Sequence, residues 1–280
     1  MVERLLTPLV ETLRPHFDLS KTRLETLAVL LFGLANCRTV NLSHLASQFP
    51  GEAKHGSNYR RLQRFFQHIR LDGDVAAFVI MQMLNLLNRP NVLALDRTNW
   101  KLGSRDVNIL VLAVVTHRFR VPLMWTLLSH AGNSATYQRI SLMERYLHLF
   151  GAASIRALLA DREFVGAKWM QFLNKNNIPY AIRIKEDMVL HLADGGRHQF
   201  RTLLRKPKSG TWEGWLNGME PTPENLLRVA GKRIKDGELL IVATNMEKAE
   251  RASTSTVSDG ALNVCSGTQK HVASTSKTPT

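Results

Sequence analysis

The chain has 280 residues and a formal net charge of +14, so it is long enough for two domains with hydrophobic cores, and its charge favours a polyanionic partner over a neutral one. Its two cysteines, Cys37 and Cys265, exclude a disulfide framework and a cysteine-based zinc site, which suits a reducing cytoplasm. The longest apolar stretch, residues 27–35, is too short to span a bilayer, and no signal peptide is recognisable.

Residues 1–88 are predicted to be helical. Apolar residues recur there at the spacing of one helix face, and Asp18 or Ser20 is placed to cap the start of that helix. A second, short helix is predicted over residues 42–49, where a Pro-Gly pair ends it. The apolar face of the first helix comprises Leu24, Leu27, Ala28, Leu31 and Leu34.

A third helix is predicted over residues 57–69, with Ser57 as its cap. Its apolar face comprises Leu62, Phe65, Phe66 and Ile69. A helix, a turn and a basic helix form a unit that can enter a DNA groove. The alternative is an amphipathic helix whose arginine face is solvated. On the first interpretation, the DNA-binding residues are Tyr59, Arg60, Arg61 and Arg64.

Residues 89–185 change to an alternation of strands and helices. Three strands, a helix, a strand, a helix and a strand form an α/β layout, and the helix-connected strands favour parallel pairing. The break at Gly132-Asn133-Ser134 is expected to cap a helix that runs to Phe150, and a second helix is predicted over residues 166–174. The predicted strands cover residues 92–95, 108–115, 121–128, 155–160 and 180–184.

Residues 186–245 are predicted to form a β-rich insertion with basic residues. Trp212 and Trp215 lie in this segment, either as core anchors of a small sheet or as platforms on which the bases of single strands stack. In residues 251–280, twelve of thirty positions are Ser or Thr and apolar periodicity is absent. We expect this tail to be disordered because it has too little apolar surface to offset the entropy of ordering it.

Two of the predicted strands are followed by the same dipeptide, Asp96-Arg97 in one case and Asp161-Arg162 in the other. Carboxylates delivered from neighbouring strands can hold a hard divalent cation such as Mg²⁺, and two such ions assist phosphodiester chemistry by steadying the attacking and leaving oxygens. The alternative is that each aspartate caps a turn or pairs with the arginine beside it.

The chain resembles the IS4 family of insertion-sequence transposases over roughly residues 1–250. Three segments carry this resemblance. The Asp-Arg-Glu-Phe motif is the fairly specific part of this resemblance, whereas Asp-Arg-Thr alone is a weak signal. The segments are Ala94-Leu95-Asp96-Arg97-Thr98, Asp161-Arg162-Glu163-Phe164-Val165-Gly166, and Gly132-Asn133-Ser134 with Tyr137 and Arg139.

The resemblance implies a ribonuclease-H-like catalytic core, a helical N-terminal domain that binds DNA ends, and a β-rich insertion before the third acidic residue. Asp96 and Asp161 match the first two metal-binding acids, with Mg²⁺ as the cofactor and Mn²⁺ as a substitute. Arg97 and Arg162 are assigned to DNA contact. The partners are double-stranded element ends and target DNA, with a homodimer on DNA as one arrangement, in the nucleoid of a bacterial cytoplasm.

The third acid of the family is a glutamate in a helix that also carries a tyrosine, an arginine and a lysine. That pattern cannot follow the insertion because Tyr180 is the last tyrosine of the chain, and neither Glu247 nor Glu250 fits it. We therefore expect a transposase with impaired activity. The alternatives are a DNA-binding protein without catalytic activity and a nuclease that uses two acids.

Overall fold

A computed structural model describes residues 2–129, 132–206, 209–234 and 237–246. The chain divides into two compact units, residues 1–79 and 80–280. The predicted disordered tail, with Glu247 and Glu250, lies outside the described residues. Among the helices that are described, none combines the length and apolar character that crossing a membrane requires.

The N-terminal unit is helical, as predicted. Its core is formed where α2 packs against the other helices, and it includes Leu24, Leu27, Leu45, Leu62 and Phe65. The helices are α1 (Val2–Leu13), α2 (Lys21–Cys37), α3 (Leu42–Ala46) and α4 (His55–His68), and α5 (Gly73–Met83) continues past the boundary of the unit.

Three details of this unit differ from the sequence prediction. Leu31 and Leu34 are exposed because α2 turns Leu24, Leu27, Ala28 and Leu30 towards the core instead. Phe66 is also exposed on α4. The start of α4 precedes Ser57, since Lys54 occupies the N-cap position.

The second unit is built on one mixed sheet of ten strands in the order β3-β2-β1-β4-β5-β10-β9-β8-β6-β7. It begins with an antiparallel meander of β1 (Asn91–Leu102), β2 (Arg105–Val115) and β3 (Arg120–Leu128). The register between β2 and β3 shifts after Leu112, where Ala113 pairs with Pro122. The next strands, β4 (Ile155–Ala160) and β5 (Tyr180–Arg183), are parallel to β1, which confirms the predicted parallel pairing.

β1 is longer than predicted. Residues 92–95 are all buried, as in a strand covered on both faces, and this apolar half pairs with both β2 and β4. Residues 96–102 pair with β2 alone and are polar apart from Trp100 and Leu102. Because this second half lacks the apolar run, the sequence pattern ends the strand seven residues too early.

Two helices connect the parallel strands, α6 (Thr136–Phe150) and α7 (Ala167–Lys175). The predicted cap at Gly132-Asn133-Ser134 is wrong, since Ala135 occupies the N-cap of α6 and its N–H donates to Gln138 Oε1 at 2.7 Å. Phe164, Trp169 and Tyr180 are among the largest fully buried side chains of this unit.

The β-rich segment continues the same sheet, because β10 pairs antiparallel with β5. Trp215 donates to the Thr222 carbonyl at 2.9 Å and the Trp212 ring contacts Phe200, so both tryptophans serve as packing anchors. The elements are β6 (Val189–Leu192), β7 (Arg197–Gln199), α8 (Phe200–Leu203), β8 (Ser209–Leu216), β9 (Leu227–Arg233) and β10 (Leu239–Thr244).

Candidate active site

Asp96 and Asp161 occupy matching positions on neighbouring parallel strands. Leu95 of β1 pairs with Ala160 of β4, so the two aspartates are the next residues in register. Adjacent strands lie about 4.8 Å apart, and residues in register share a face of the sheet. The side chains of Asp96 and Asp161 are 40% and 39% exposed, which leaves both carboxylates open to a ligand.

The local hydrogen bonding of the two aspartates is the same. The N–H of Arg97 donates to Asp96 Oδ1 and the N–H of Arg162 donates to Asp161 Oδ1, each at 2.8 Å. These bonds orient each carboxylate relative to its own main chain. The peptides that follow the two aspartates therefore control where the two acid groups point.

Each carboxylate also has an arginine from another strand nearby. Arg120 Nη1 lies 3.8 Å from Asp96 Oδ2, and Arg183 Nη1 lies 3.7 Å from Asp161 Oδ1. Arg183 also contacts Glu238 at 3.3 Å. The Arg97 side chain, by contrast, pairs with Glu163 and not with Asp96. Asp161 caps the turn that follows it, which agrees with one of the alternatives considered from the sequence.

The pKa of Asp96 is raised above its usual value. Burial is the largest cause, and the negative charges of Glu163 and Asp161 raise this pKa further. The N–H of Arg97 and the charge of Arg120 act in the opposite direction. Glu163 and Asp161 thus both contribute negative charge at Asp96, and a bound cation would favour the ionised form of Asp96.

The sequence analysis did not assign a role to Glu163, although Glu163 lies within the Asp-Arg-Glu-Phe motif. Its carboxylate accepts from Arg97 Nε at 3.2 Å and from Arg97 Nη2 at 3.0 Å. The pair is mostly shielded, with side-chain exposures of 19% for Arg97 and 23% for Glu163. The guanidinium assigned to DNA from the sequence is thus bound to a carboxylate of the protein.

Two further polar side chains surround this ion pair. Asn108 of β2 accepts from Arg97 Nη1 at 3.3 Å and donates to the Gly132 carbonyl at 2.8 Å. Arg139 of α6 donates to Ser134 Oγ at 2.9 Å and to the Glu163 carbonyl at 3.2 Å. Hydrogen bonds from Asn108 and Arg139 therefore connect the Gly132-Asn133-Ser134 segment to the site that contains the two aspartate motifs.

Arg139 is buried, and its guanidinium lies 5.4 Å from the centroid of the Phe164 ring. Burial lowers the pKa of Arg139, and the charge of Glu163 partly offsets that effect. An arginine stays protonated even so. This buried charge is held by hydrogen bonds rather than left for solvent.

Arg162 lies beside two neighbouring cavities of about 490 and 460 Å³. Both cavities are also lined by Lys185 and Asp187. Glu163 lines the first of them, and Arg201 lines the second. Cationic side chains therefore continue along the surface from Asp161 towards α8.

The donor set at Asp96 and Asp161 fits a hard divalent cation. Two carboxylates supply oxygen ligands, and Mg²⁺ commonly fills its other positions with water and phosphate oxygens. Within the described ranges, no group of three or more His, Cys, Asp or Glu side chains is placed to hold a metal ion. The structure therefore brings two of the expected acids together, and the described residues supply no third.

In the N-terminal unit, the four predicted DNA-binding residues of α4 differ in exposure. Arg60 and Arg64 are exposed, and Tyr59 is partly buried against the core. Arg61 donates to Thr26 Oγ1 and to the Thr22 carbonyl, each at 2.9 Å, and its guanidinium lies 5.1 Å from the centroid of the Phe49 ring. Arg61 therefore packs against α2, with its side chain still 35% exposed.

The second unit is thus a mixed α/β fold whose sheet presents the carboxylates of Asp96 and Asp161 from adjacent parallel strands. A family model for the transposase DDE domain matches residues 87–256, which is more than half of the chain. The chain therefore belongs to the transposase DDE domain family, and its general activity is that of a transposase. The narrower assignment to the IS4 family stays a prediction.

A comparison with curated protein sequences finds no match. Among solved structures, the chain is similar to endonuclease V from Bacillus subtilis at 13% sequence identity and a TM-score of 0.27, over 62% of this chain and 77% of that chain. A TM-score this low does not support an inference about fold or function.

Proposed function

We propose that this protein cleaves DNA at the ends of an insertion sequence and joins the resulting 3′-hydroxyls to target DNA. The observation that carries this proposal is the β1–β4 register, which makes Asp96 and Asp161 neighbours. Family membership supports it at the level of transposase activity. The strand order β3-β2-β1-β4-β5, with β4 and β5 parallel to β1, supports a ribonuclease-H-like core.

In this proposal Asp96 and Asp161 hold Mg²⁺, for which Mn²⁺ can substitute. When bound, the metal would stabilise charge at the phosphorus and activate the attacking oxygen. The protein itself orients the two carboxylates through the N–H groups of Arg97 and Arg162. Arg120 and Arg183 limit the repulsion between the acids before a cation arrives.

Double-stranded DNA is the proposed partner of both units. Arg60 and Arg64 are exposed on α4, where they can contact phosphates. Arg162 is exposed beside Asp161, where it can contact the strand to be cut. A homodimer on DNA, with each copy acting on one element end, is part of the same proposal.

The test is cleavage of a labelled duplex that carries the element's own terminal repeats, with Mg²⁺ or Mn²⁺, resolved on a denaturing gel. Wild-type protein should nick the element end, and Asp96→Asn and Asp161→Asn should each lower the rate by at least about 100-fold, since residues that act as one unit fail together. Glu213→Gln is the matched control, because Glu213 is paired with Arg228 on β8 and β9 and away from the two aspartates.

The absence of a third acid among the described residues favours a second candidate function, that of a non-catalytic DNA-binding protein. It predicts end-specific gel shifts that survive Asp96→Asn and Asp161→Asn, with no metal-dependent nicking by wild-type protein. The cleavage assay therefore separates the two candidates. Slow but end-specific nicking that both substitutions abolish would support the first candidate with impaired activity.

A further inference from the structure

We infer that Arg97 and Glu163 form a positioning pair that sets the spacing of the Asp96 and Asp161 carboxylates. The inference deepens the proposed function and rests on it. Each member of the pair lies next to one aspartate in sequence: Arg97 follows Asp96 directly, and Glu163 follows Asp161 by two residues. The ion pair thus links the two short segments that carry the acids.

On the β1 side, the link acts through a single residue. The Arg97 N–H donates to Asp96 Oδ1, while the Arg97 guanidinium donates to Glu163 through Nε and Nη2. A guanidinium held at two nitrogens has little freedom to rotate. Fixing this side chain therefore restrains the peptide that orients Asp96.

On the β4 side, Glu163 lies in a 3₁₀ helix of residues 162–164 that Asp161 caps. The Asp161 side chain accepts from the Arg162 N–H, and the Phe164 N–H donates to the Asp161 carbonyl at 2.9 Å. A displacement of Glu163 would therefore move the turn that holds Asp161. Both aspartates depend on the same ion pair through bonded neighbours.

The surrounding contacts hold the pair from two more elements. Asn108 of β2 accepts from Arg97, and Arg139 of α6 donates to the main-chain carbonyl of Glu163. Since the Arg97 and Glu163 side chains are only 19% and 23% exposed, water screens this interaction less than it screens a surface pair. The arrangement is suited to fixing a distance and leaves the Arg97 guanidinium committed to the protein rather than to a phosphate.

The test measures Mn²⁺ affinity of the full-length protein by electron paramagnetic resonance, together with thermal unfolding. Glu163→Gln removes the charge and keeps the shape, and Arg97→Lys keeps the charge and removes the two-nitrogen contact. We expect each to raise the Kd for Mn²⁺ by about 10-fold or more, the range seen when residues that orient metal ligands are changed. Glu213→Gln, which breaks a comparable ion pair on β8 and β9, should leave that Kd unchanged.

A charge reversal, Arg97→Glu with Glu163→Arg, supplies the second variant in case either single variant does not fold. The reversed pair should recover at least part of the Mn²⁺ affinity lost in Arg97→Glu alone. An unchanged Kd in folded Glu163→Gln and Arg97→Lys, or a reversal that restores stability but not affinity, would overturn the inference and assign the pair a structural role only.

The same measurements separate this inference from the function on which it rests. If wild-type protein binds Mn²⁺ no better than Asp96→Asn does, the proposed metal site is wrong. If wild-type protein binds Mn²⁺ and Arg97→Lys loses DNA affinity alone, measured by anisotropy, the metal site stands and Arg97 is a DNA contact. Loss of Mn²⁺ affinity with unchanged DNA affinity supports the positioning pair.

Discussion

At the scale of single residues, α4 carries two kinds of arginine that the sequence does not distinguish. Arg60 and Arg64 are exposed, whereas Arg61 donates to Thr22 and Thr26 of α2 and lies near Glu25 at 3.5 Å. The four residues predicted to bind DNA all lie on one helix, but a helical repeat does not say which side chains meet a neighbouring helix. The DNA-binding role of Arg61 stays a prediction that the contacts of its side chain disfavour.

We expect Arg61→Ala to lower the free energy of unfolding by about 1–3 kcal/mol, because it removes two hydrogen bonds that a charged group donates to α2. Arg64→Ala, the matched control on the same helix, should change it by less than about 0.5 kcal/mol. Urea unfolding followed by circular dichroism measures both.

DNA binding should respond in the opposite way: Arg64→Ala should lower the affinity for DNA, and folded Arg61→Ala should keep the wild-type affinity. Each lost phosphate contact reduces the slope of log affinity against log salt by about one unit, so Arg64→Ala should have the shallower slope and Arg61→Ala the wild-type slope. A shallower slope for a folded Arg61→Ala variant would return Arg61 to the DNA interface.

At the scale of elements, the apolar runs identified the strands and their polarity well. The strand over residues 155–160 has the predicted bounds, and both helix-connected pairings are parallel. The second half of β1 was missed because only β2 covers it, so its residues carry no apolar signature. Pattern also could not show that β10 would join β5, since sheet neighbours that are distant in sequence depend on tertiary packing.

For the site, the sequence located the two aspartates but not their partners. Asp96 and Asp161 stood out because each ends an apolar run, which is a local signal. Arg120 and Arg183 approach these acids from other strands, and nothing local marks them. Glu163 lay in the recognised motif, yet its pairing with Arg97 depends on the register of β1 and β4.

The contact between β6 and β8 gives a prediction for an element. A Cβ added at Gly214 of β8 would overlap the His191 carbonyl of β6, so this position requires glycine for close approach of the two strands. We expect Gly214→Ala to destabilise the second unit by about 1–3 kcal/mol. Thr211→Ala, at an exposed position of the same strand, is the control, and tryptophan fluorescence in a urea titration is the measurement.

If Gly214→Ala unfolds at the same urea concentration as Thr211→Ala, the close approach of the two strands is wrong. Helix α4 should be unaffected by either change, since Gly214 and Thr211 belong to the second unit. Because the helices of both units contribute to the far-UV circular dichroism, the part of that signal due to the first unit should keep its wild-type urea midpoint in both variants.

At the scale of the whole molecule, the two units have separate hydrophobic cores. One core is formed by residues between 6 and 65, and the other includes residues between 92 and 246. All five tryptophans, Trp100, Trp125, Trp169, Trp212 and Trp215, belong to the second unit. Tryptophan fluorescence therefore reports on the sheet-containing unit, while circular dichroism reports on the helices of both.

We expect the two signals to give urea midpoints that do not coincide, because a chain with two cores need not unfold in one step. Arg61→Ala should shift the dichroism transition and leave the fluorescence transition in place. Coincident midpoints in the wild-type protein, which shift together in Arg61→Ala, would show that the chain unfolds as one cooperative body.

The outer strands of the sheet bear on how this basic protein behaves when many copies crowd along DNA. β3 ends the sheet on one side and contains Pro122, which has no N–H to offer an incoming strand. On the other side β7 is only three residues long, and all three, Arg197, His198 and Gln199, are exposed and polar. Within the described ranges, the β7 margin of the sheet thus discourages the edge-to-edge strand pairing that begins aggregation, whereas the β3 margin does so only at Pro122 and exposes Trp125 and Leu127.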